Sequence, residues 1–137
     1  MTGTFQGVGT LQFTPDNQNV YAYSGEMLID TTETTMLEFT TNSEYIIAKF
    51  NFTALERTGD QLFGNLYLDD VKLATSWSGL STNNGEPSYP LELIIPPFTT
   101  LKATGDNITA ALRRFAVTMV GTVHGAIEQF NLEVKNE

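Results

Sequence analysis

The sequence contains no cysteine and only one histidine, His124. Disulfides, cysteine-based zinc sites, iron–sulfur clusters and thiol nucleophiles are therefore excluded, and so is a metal site built on several imidazoles. Positive charge is also scarce, because 7 Lys and Arg stand against 16 Asp and Glu and give a net charge of −9. Proteins that hold nucleic acid through its phosphates need the opposite balance. We therefore expect no nucleic-acid partner.

Membrane-spanning and targeting features are missing too. No stretch approaches the roughly 20 apolar residues that a membrane helix needs. The N-terminus has neither the basic segment nor the apolar segment of a secretory signal peptide. We therefore expect synthesis in the cytoplasm, no signal peptide and no membrane contact. The length of 137 residues, with 41% hydrophobic residues, predicts one folded domain over 1–137.

Apolar residues recur at every second position through most of the chain, which is the period of a β-strand. The segment 45–55 alternates most clearly. In the segment 20–29, the same period places Tyr21, Tyr23, Met27 and Ile29 on one face. The segment 113–123 is predicted to be the last long strand. The inward positions predicted for 45–55 are Ile46, Ala48, Phe50, Phe52 and Ala54, and those for 113–123 are Phe115, Val117, Met119 and Val123.

Turn residues separate about eight to ten such segments, and only 108–112 has the pattern of a single helical turn. The chain is therefore predicted to be all-β, an antiparallel β-sandwich of the jelly-roll type. Asp69 and Asp70 are predicted to form a tight hairpin turn, since Asp tolerates left-handed backbone angles. Two alternatives stay open for 125–137: a short further strand, or a peripheral C-terminal segment.

Few residues are suited to catalysis. His124 would have to serve any Ser–His–Asp arrangement, but the sequence has no Gly-x-Ser-x-Gly motif to supply the nucleophile. A single histidine near a strand end is more often a hydrogen-bonded surface group. We therefore expect that the protein is not an enzyme and that it needs no cofactor.

Two sets of side chains are candidates for ligand binding. The adjacent carboxylates of Asp69 and Asp70 are half of a calcium site if other loops add oxygen ligands, although turn formation alone also explains them. Trp77, Tyr67 and Tyr89 are candidates for stacking against the apolar faces of a sugar. Because aromatic residues also fill the cores of sandwiches, core packing remains the alternative for these three.

Some strands carry large apolar residues at consecutive positions. Ile46 and Ile47, Ile94 and Ile95, and Leu62 and Phe63 are such pairs. A two-layer sandwich needs only one apolar face per strand, so one member of each pair is spare. We expect the spare residues to lie in a contact between subunits or with a larger particle. The candidates are Ile47, Phe63 and Ile94.

The whole chain resembles the small accessory jelly-roll proteins of viruses and bacteriophages: capsid decoration proteins, vertex proteins and the heads of short fibres. The segments that carry the resemblance are 7–13 (GVGTLQF), 37–41 (LEFTT), 89–98 (YPLELIIPPF) and 115–123 (FAVTMVGTV). The resemblance implies a protein on the virion surface that forms a homotrimer or a larger symmetric assembly. It also implies docking on capsid or tail proteins.

Two functions are therefore considered. The first is a non-enzymatic structural or decoration protein of a virion, which self-associates and docks on a capsid or tail. The alternative is a carbohydrate-binding, receptor-recognising β-sandwich module, with or without calcium.

Overall fold

The computed structural model of the chain describes residues 10–14, 19–55, 61–79 and 90–125. Within these ranges, no helix is long and apolar enough to cross a lipid bilayer. The strands in chain order are β1 (Thr10–Thr14), β2 (Asn19–Tyr23), β3 (Met27–Ile29), β4 (Thr34–Thr40), β5 (Glu44–Ala54), β6 (Gln61–Leu68), β7 (Val71–Gly79), β8 (Leu91–Ile95), β9 (Thr100–Asn107) and β10 (Arg113–Gly125).

The strands form two sheets, and every pair of neighbouring strands is antiparallel. Sheet A has the order β1-β2-β10-β5-β8, and β3 also pairs with β10. Sheet B has the order β4-β9-β6-β7. From β3 onward the chain changes sheet at every connection except the β6–β7 hairpin. This is the topology of a jelly roll, so the predicted all-β antiparallel sandwich is confirmed.

The alternation predicted for β5 and β10 is confirmed. Every second side chain of β5 points into the core and is buried, and the four inward positions predicted for β10 are buried as well. Burial of these apolar side chains is the main favourable contribution to folding. The buried residues of the two strands pack with those of sheet B into a single core.

The centre of the core is filled by two aromatic rings from sheet A. Phe52 and Phe115 are fully buried and stacked, with 5.8 Å between their ring centroids. Sheet B makes room for them with two glycines, Gly64 and Gly105, which are register partners on β6 and β9. A Cβ atom at Gly64 would lie 2.2 Å from Cδ2 of Phe52. Close approach of the ring therefore requires glycine at this position.

The segment 20–29 differs from its prediction. It forms two strands, β2 and β3, instead of one, and both pair with β10. Val20 and Ala22 point into the core and Tyr21 is exposed, whereas Ile29 is buried, so the prediction that Tyr21, Tyr23, Met27 and Ile29 share one face is wrong. The cause is an irregular turn at 24–26, where Gly25 has a φ of 77°. This interruption shifts the alternation by one residue.

The hairpin turn predicted at 69–70 is confirmed, whereas the helical turn predicted at 108–112 is wrong. Asp69 and Asp70 form the β6–β7 hairpin turn with φ angles of 49° and 68°, as predicted. The segment 108–112 forms bends and no helical turn. The side chain of Asn107 takes up the local backbone groups there, since its Nδ2 donates to the carbonyl oxygen of Ala111 at 2.9 Å.

Candidate interaction surfaces

Sheet A carries exposed apolar side chains on its outer face. Ile47 and Ile94 are register partners on β5 and β8, and their side chains are 43% and 57% exposed. Val120 and Tyr21 are register partners on β10 and β2, and they lie in the adjacent cross-strand row, in which Val120 pairs with Lys49 of β5. We call these four residues the sheet A patch. Their neighbours Ile46 and Ile95 are fully buried, so the core is complete without the patch.

A groove of about 610 Å³ lies on the same face. Its apolar lining comes from Tyr21, Ile47 and Val120, and its polar lining includes Lys49 and Glu92. Lys49 and Glu92 form an exposed ion pair with Nζ and Oε2 3.4 Å apart. Such a pair contributes about 0–1 kcal/mol and is readily exchanged. The groove therefore combines apolar side chains with one ion pair, and protein–protein interfaces also combine apolar and polar residues.

Sheet B has a different outer face, in which aromatic and polar side chains alternate. Trp77 and Phe63 are register partners on β7 and β6, and Trp77 is 57% exposed. Trp77 therefore does not fill the core. Phe63 is half-buried beside it, and Tyr67 lies on the same face of β6, four residues further along. At about 3.3 Å per residue, Tyr67 is roughly 13 Å from Phe63.

Between these aromatic residues lies a network of hydrogen-bonded polar side chains. Asn65 is buried, and its Nδ2 donates to Oγ1 of Thr104 at 3.1 Å and to Oδ1 of Asp106 at 3.0 Å. The hydroxyl of Thr75 donates to Oδ1 of Asn65 at 2.9 Å. Because each of these bonds fixes the next, the network holds the surface between Trp77 and Tyr67 in one arrangement.

Tyr67 is joined to the same network through Glu33 and Thr104. Its hydroxyl and that of Thr104 both donate to Oε2 of Glu33. The hydrogen bonds from Thr104 and Tyr67 hold the pKa of Glu33 below its ordinary value, and the bond to Glu33 raises the pKa of Tyr67. Lys102 and Lys72 place their ammonium groups 5.0 Å and 5.7 Å from the centroid of the Tyr67 ring. The ring is thus occupied by cation–π contacts, which orient it.

The carboxylates of Asp69 and Asp70 have protein partners. Oδ1 of Asp69 accepts the backbone N–H of Thr100 at 2.9 Å, and Oδ1 of Asp70 lies 3.5 Å from Nζ of Lys102. In the part of the chain that the structure describes, no group of three or more Asp, Glu, His or Cys side chains could hold a metal ion. These two residues therefore act in the turn, and calcium binding there remains a prediction.

His124 lies on the outer face of sheet A at the end of β10. Its Nε2 is 2.8 Å from the hydroxyl oxygen of Thr122, and its ring stacks on Tyr45 with 5.1 Å between centroids. This is the hydrogen-bonded surface position expected for an isolated histidine.

The structure brings together some of the predicted residues and separates others. Ile47 and Ile94 are direct neighbours, but Phe63 lies on the other sheet beside Trp77. Tyr89 and most of the polar loop 78–88 lie outside the described residues, as does nearly all of the segment 125–137. The sequence analysis missed Val120, although Met119 and Val120 form the same kind of consecutive apolar pair as Ile46 and Ile47.

Comparisons with known proteins found a likeness in structure and none in sequence. No protein-family model matches the chain, and no curated protein matches it in sequence. Its structure is similar to a chain in the structure of infectious bursal disease virus Gx strain, with a TM-score of 0.36 and 16% sequence identity. The likeness covers 90% of this chain but only 32% of that chain. At this identity and TM-score the likeness does not extend to function.

Proposed function

We propose that this chain is a non-enzymatic structural or decoration protein of a virion, which self-associates and docks on a capsid or tail. The observation that carries the proposal is the sheet A patch on a jelly roll whose core is already complete. Ile47 and Ile94 are not needed for the core, yet they form a cross-strand pair in the open. Exposed apolar rows of this kind mark contacts between proteins.

The exposed sheet edge supports the same interpretation. β7 is an edge strand of sheet B and pairs with β6. It is long, and Val71, Leu73 and Trp77 are all exposed on it. By contrast, the edge strand β8 is short and is followed directly by Pro96, which cannot donate a hydrogen bond to a further strand. Edge strands such as β7 are protected in native proteins by pairing or by a cover, and an assembly supplies either one.

The assembly is proposed to be symmetric, and the resemblance of the sequence favours a homotrimer. In a trimer with closed rotational symmetry, one surface of each subunit meets a different surface of the next subunit, so the sheet A patch would be one of two contact surfaces on each chain. The proposed location is the virion surface, with a capsid or tail protein as the second partner.

Sedimentation velocity of the purified chain at tens of micromolar tests self-association. Wild type should sediment as an oligomer of the 15.1 kDa chain. Ile94→Asp should sediment as a monomer, because it places a charge in the sheet A patch. Leu28→Asp is the matched control, since Leu28 is equally exposed at 57% but lies outside the patch. A monomeric wild type at this concentration would remove the proposal.

Carbohydrate binding on the outer face of sheet B is the second candidate. It is favoured by the exposure of Trp77 next to the fixed network around Asn65. Sugar sites combine an aromatic face with oriented polar groups, and both are present here. A glycan array should then show binding that Trp77→Ala abolishes and Val71→Ala retains. Adding EDTA separates calcium-assisted binding from calcium-independent binding.

A further inference from the structure

Three side chains on the outer face of sheet B lie in one row across three strands. Trp77 of β7 is the register partner of Phe63 of β6, and Phe63 is the register partner of Asp106 of β9. Neighbouring strands are about 4.8 Å apart, so the row is about 10 Å long. Trp77 is exposed and Phe63 is half-buried. The row therefore joins an exposed aromatic surface to a carboxylate at its other end.

A buried amide holds the polar groups beside this row in place. Asn65 is 2% exposed, and its Oδ1 accepts the hydroxyl of Thr75 at 2.9 Å. Its Nδ2 donates one hydrogen to Oδ1 of Asp106 at 3.0 Å and the other to Oγ1 of Thr104 at 3.1 Å. Both amide hydrogens of Asn65 are therefore used within the protein.

The hydrogen-bonding capacity that Thr75 and Asp106 have left is of one kind. The hydroxyl of Thr75 gives its single hydrogen to Asn65 and keeps lone pairs that accept. An ionised carboxylate has no hydrogen to give, and Asn65 takes up only one of the roughly four acceptor positions of Asp106. A ligand on this surface must therefore supply the hydrogen-bond donors itself.

We infer that this row binds one ring of a neutral sugar, which stacks on Trp77 and donates hydroxyl hydrogens to Asp106 and Thr75. This inference rests on the carbohydrate-binding candidate proposed above and names the class of sugar. A neutral sugar ring combines an apolar face of C–H groups with several hydroxyl donors at its edge. An aromatic surface beside a few fixed polar groups is the usual composition of a small-molecule site.

The same arrangement disfavours acidic sugars. A sugar carboxylate or sulfate brings acceptors only, and it would lie against the carboxylate of Asp106 in a chain of net charge −9. The cations on this face, Lys72 and Lys102, lie 5.7 Å and 5.0 Å from the centroid of the Tyr67 ring. Tyr67 is four residues along β6 from the row, a distance of about 13 Å. These cations therefore lie too far away to pair with an acid group at the row.

An array of neutral and acidic glycans tests the inference on the full chain. The neutral set carries terminal glucose, galactose, mannose or fucose, and the acidic set carries sialic acid, glucuronic acid or sulfate. Glycans of the neutral set should bind, and those of the acidic set should not. Raising NaCl to about 0.5 M should leave this binding unchanged, because no ion pair holds the sugar.

Asp106→Asn separates hydrogen bonding from stacking. Asparagine keeps an oxygen that accepts from Asn65 and replaces the other oxygen with a donor, so the melting temperature should be retained. The dissociation constant for the neutral glycans should rise by about tenfold or more. Trp77→Ala should abolish binding. Glu38→Gln is the matched control, because Glu38 is the register partner of Lys102 outside the row, and it should bind as wild type does.

The outcomes distinguish the inference from the proposal on which it rests. Binding of acidic glycans alone refutes the inference and leaves carbohydrate binding in place, and so does an Asp106→Asn variant that binds neutral glycans as wild type does. Binding that is lost in about 0.5 M NaCl also refutes it, because that result indicates an ion pair with the ligand. Absence of binding to every glycan refutes the carbohydrate-binding candidate itself.

Discussion

The substitution Gly64→Ala should be among the most damaging single-methyl changes in this protein. The new Cβ would lie 2.2, 2.3 and 2.5 Å from three carbon atoms of the Phe52 ring. Carbon atoms in contact are normally about 3.5–4.0 Å apart. The ring cannot move away, because it is fully buried and stacked on Phe115 at 5.8 Å. The two sheets must therefore separate locally, or the ring must leave its rotamer.

The expected cost follows from two opposing effects. Overpacking of a core costs typically about 1–3 kcal/mol, and the very short distances place this site near the upper end. Replacing glycine by alanine within a strand returns about 0.5–1 kcal/mol, because the unfolded chain loses freedom. The net loss is about 2 kcal/mol. At about 4 °C per kcal/mol for a domain of this size, the melting temperature should fall by about 8 °C.

Urea denaturation and thermal unfolding, both followed by circular dichroism, measure this loss. Gly105→Ala is the matched control: its Cβ would lie 2.8 Å from Sδ of Met36 and 3.1 Å from Cδ2 of Phe115, and because these distances are longer than those at Gly64 it should cost less. Phe52→Leu should rescue Gly64→Ala, with the double variant about 1–2 kcal/mol more stable than the sum of the single effects. If the free energy of unfolding of Gly64→Ala is within about 0.5 kcal/mol of the wild-type value, the close packing of Phe52 against Gly64 is refuted.

Three further results are expected. Thr41→Val should destabilise the fold by about 1–3 kcal/mol in urea denaturation, because it leaves buried backbone groups of the Phe98 turn without partners. Tyr67 should titrate above its ordinary pKa of 10.0, so the stability that its hydrogen bond to Glu33 contributes is present below pH 10.0 and is lost as the pH rises through the raised pKa. Ultraviolet absorbance of the phenolate measures this titration. Tyr67→Phe should remove the transition, and Glu33→Gln should lower the pKa of Tyr67. Glu92→Gln should change the free energy of unfolding by less than about 0.5 kcal/mol, and a larger loss would contradict the weak pairing with Lys49.

The strands that could be predicted are those whose pattern is regular over many residues. β5 alternates without interruption over its whole length, so its buried side chains followed directly from the sequence. In β10 the alternation continues through Gly121, where the strand stays extended. Glycine fits there because an added Cβ atom would lie 2.7 Å from the carbonyl oxygen of Ile47 on the neighbouring strand. Regular alternation over ten or more positions outweighs one weak residue.

The failure at β2 has an equally specific cause. Alternation predicts which face a side chain lies on only while the strand is continuous. Nothing in the sequence 24–26 (SGE) indicates that the strand is interrupted there and that the inward positions change from even to odd residue numbers. The interruption is stabilised by tertiary contacts: the N–H of Ser24 bonds to Val117, and the N–H of Val117 bonds to the hydroxyl of Ser24. Because the partner strand is more than ninety residues away, a local pattern cannot reveal the shift.

The candidate surfaces were predicted in part for similar reasons. Consecutive apolar pairs indicate which residues are spare, and this signal found Ile47 and Ile94. It cannot say which spare residues meet, so Phe63 was grouped with residues of the opposite sheet. The left-handed backbone of Phe98 could not be predicted either, because the groups that bind its turn are distant in the sequence. The N–H of Phe98 donates to the carbonyl oxygen of Asn42, and the hydroxyl of Thr41 bonds to Pro96 and Thr99 on either side of it.

The two outer faces of the sandwich can serve different partners at the same time. The self-association proposed for the sheet A patch would cover the outer face of sheet A and leave Trp77 and the polar network on sheet B open to solvent. A symmetric assembly would then present one copy of the sheet B face per chain, all fixed in orientation. Weak single sites held in this way act together, because the second contact is intramolecular. The structural role and the carbohydrate-binding role are therefore compatible, with assembly as the step that makes weak binding sufficient.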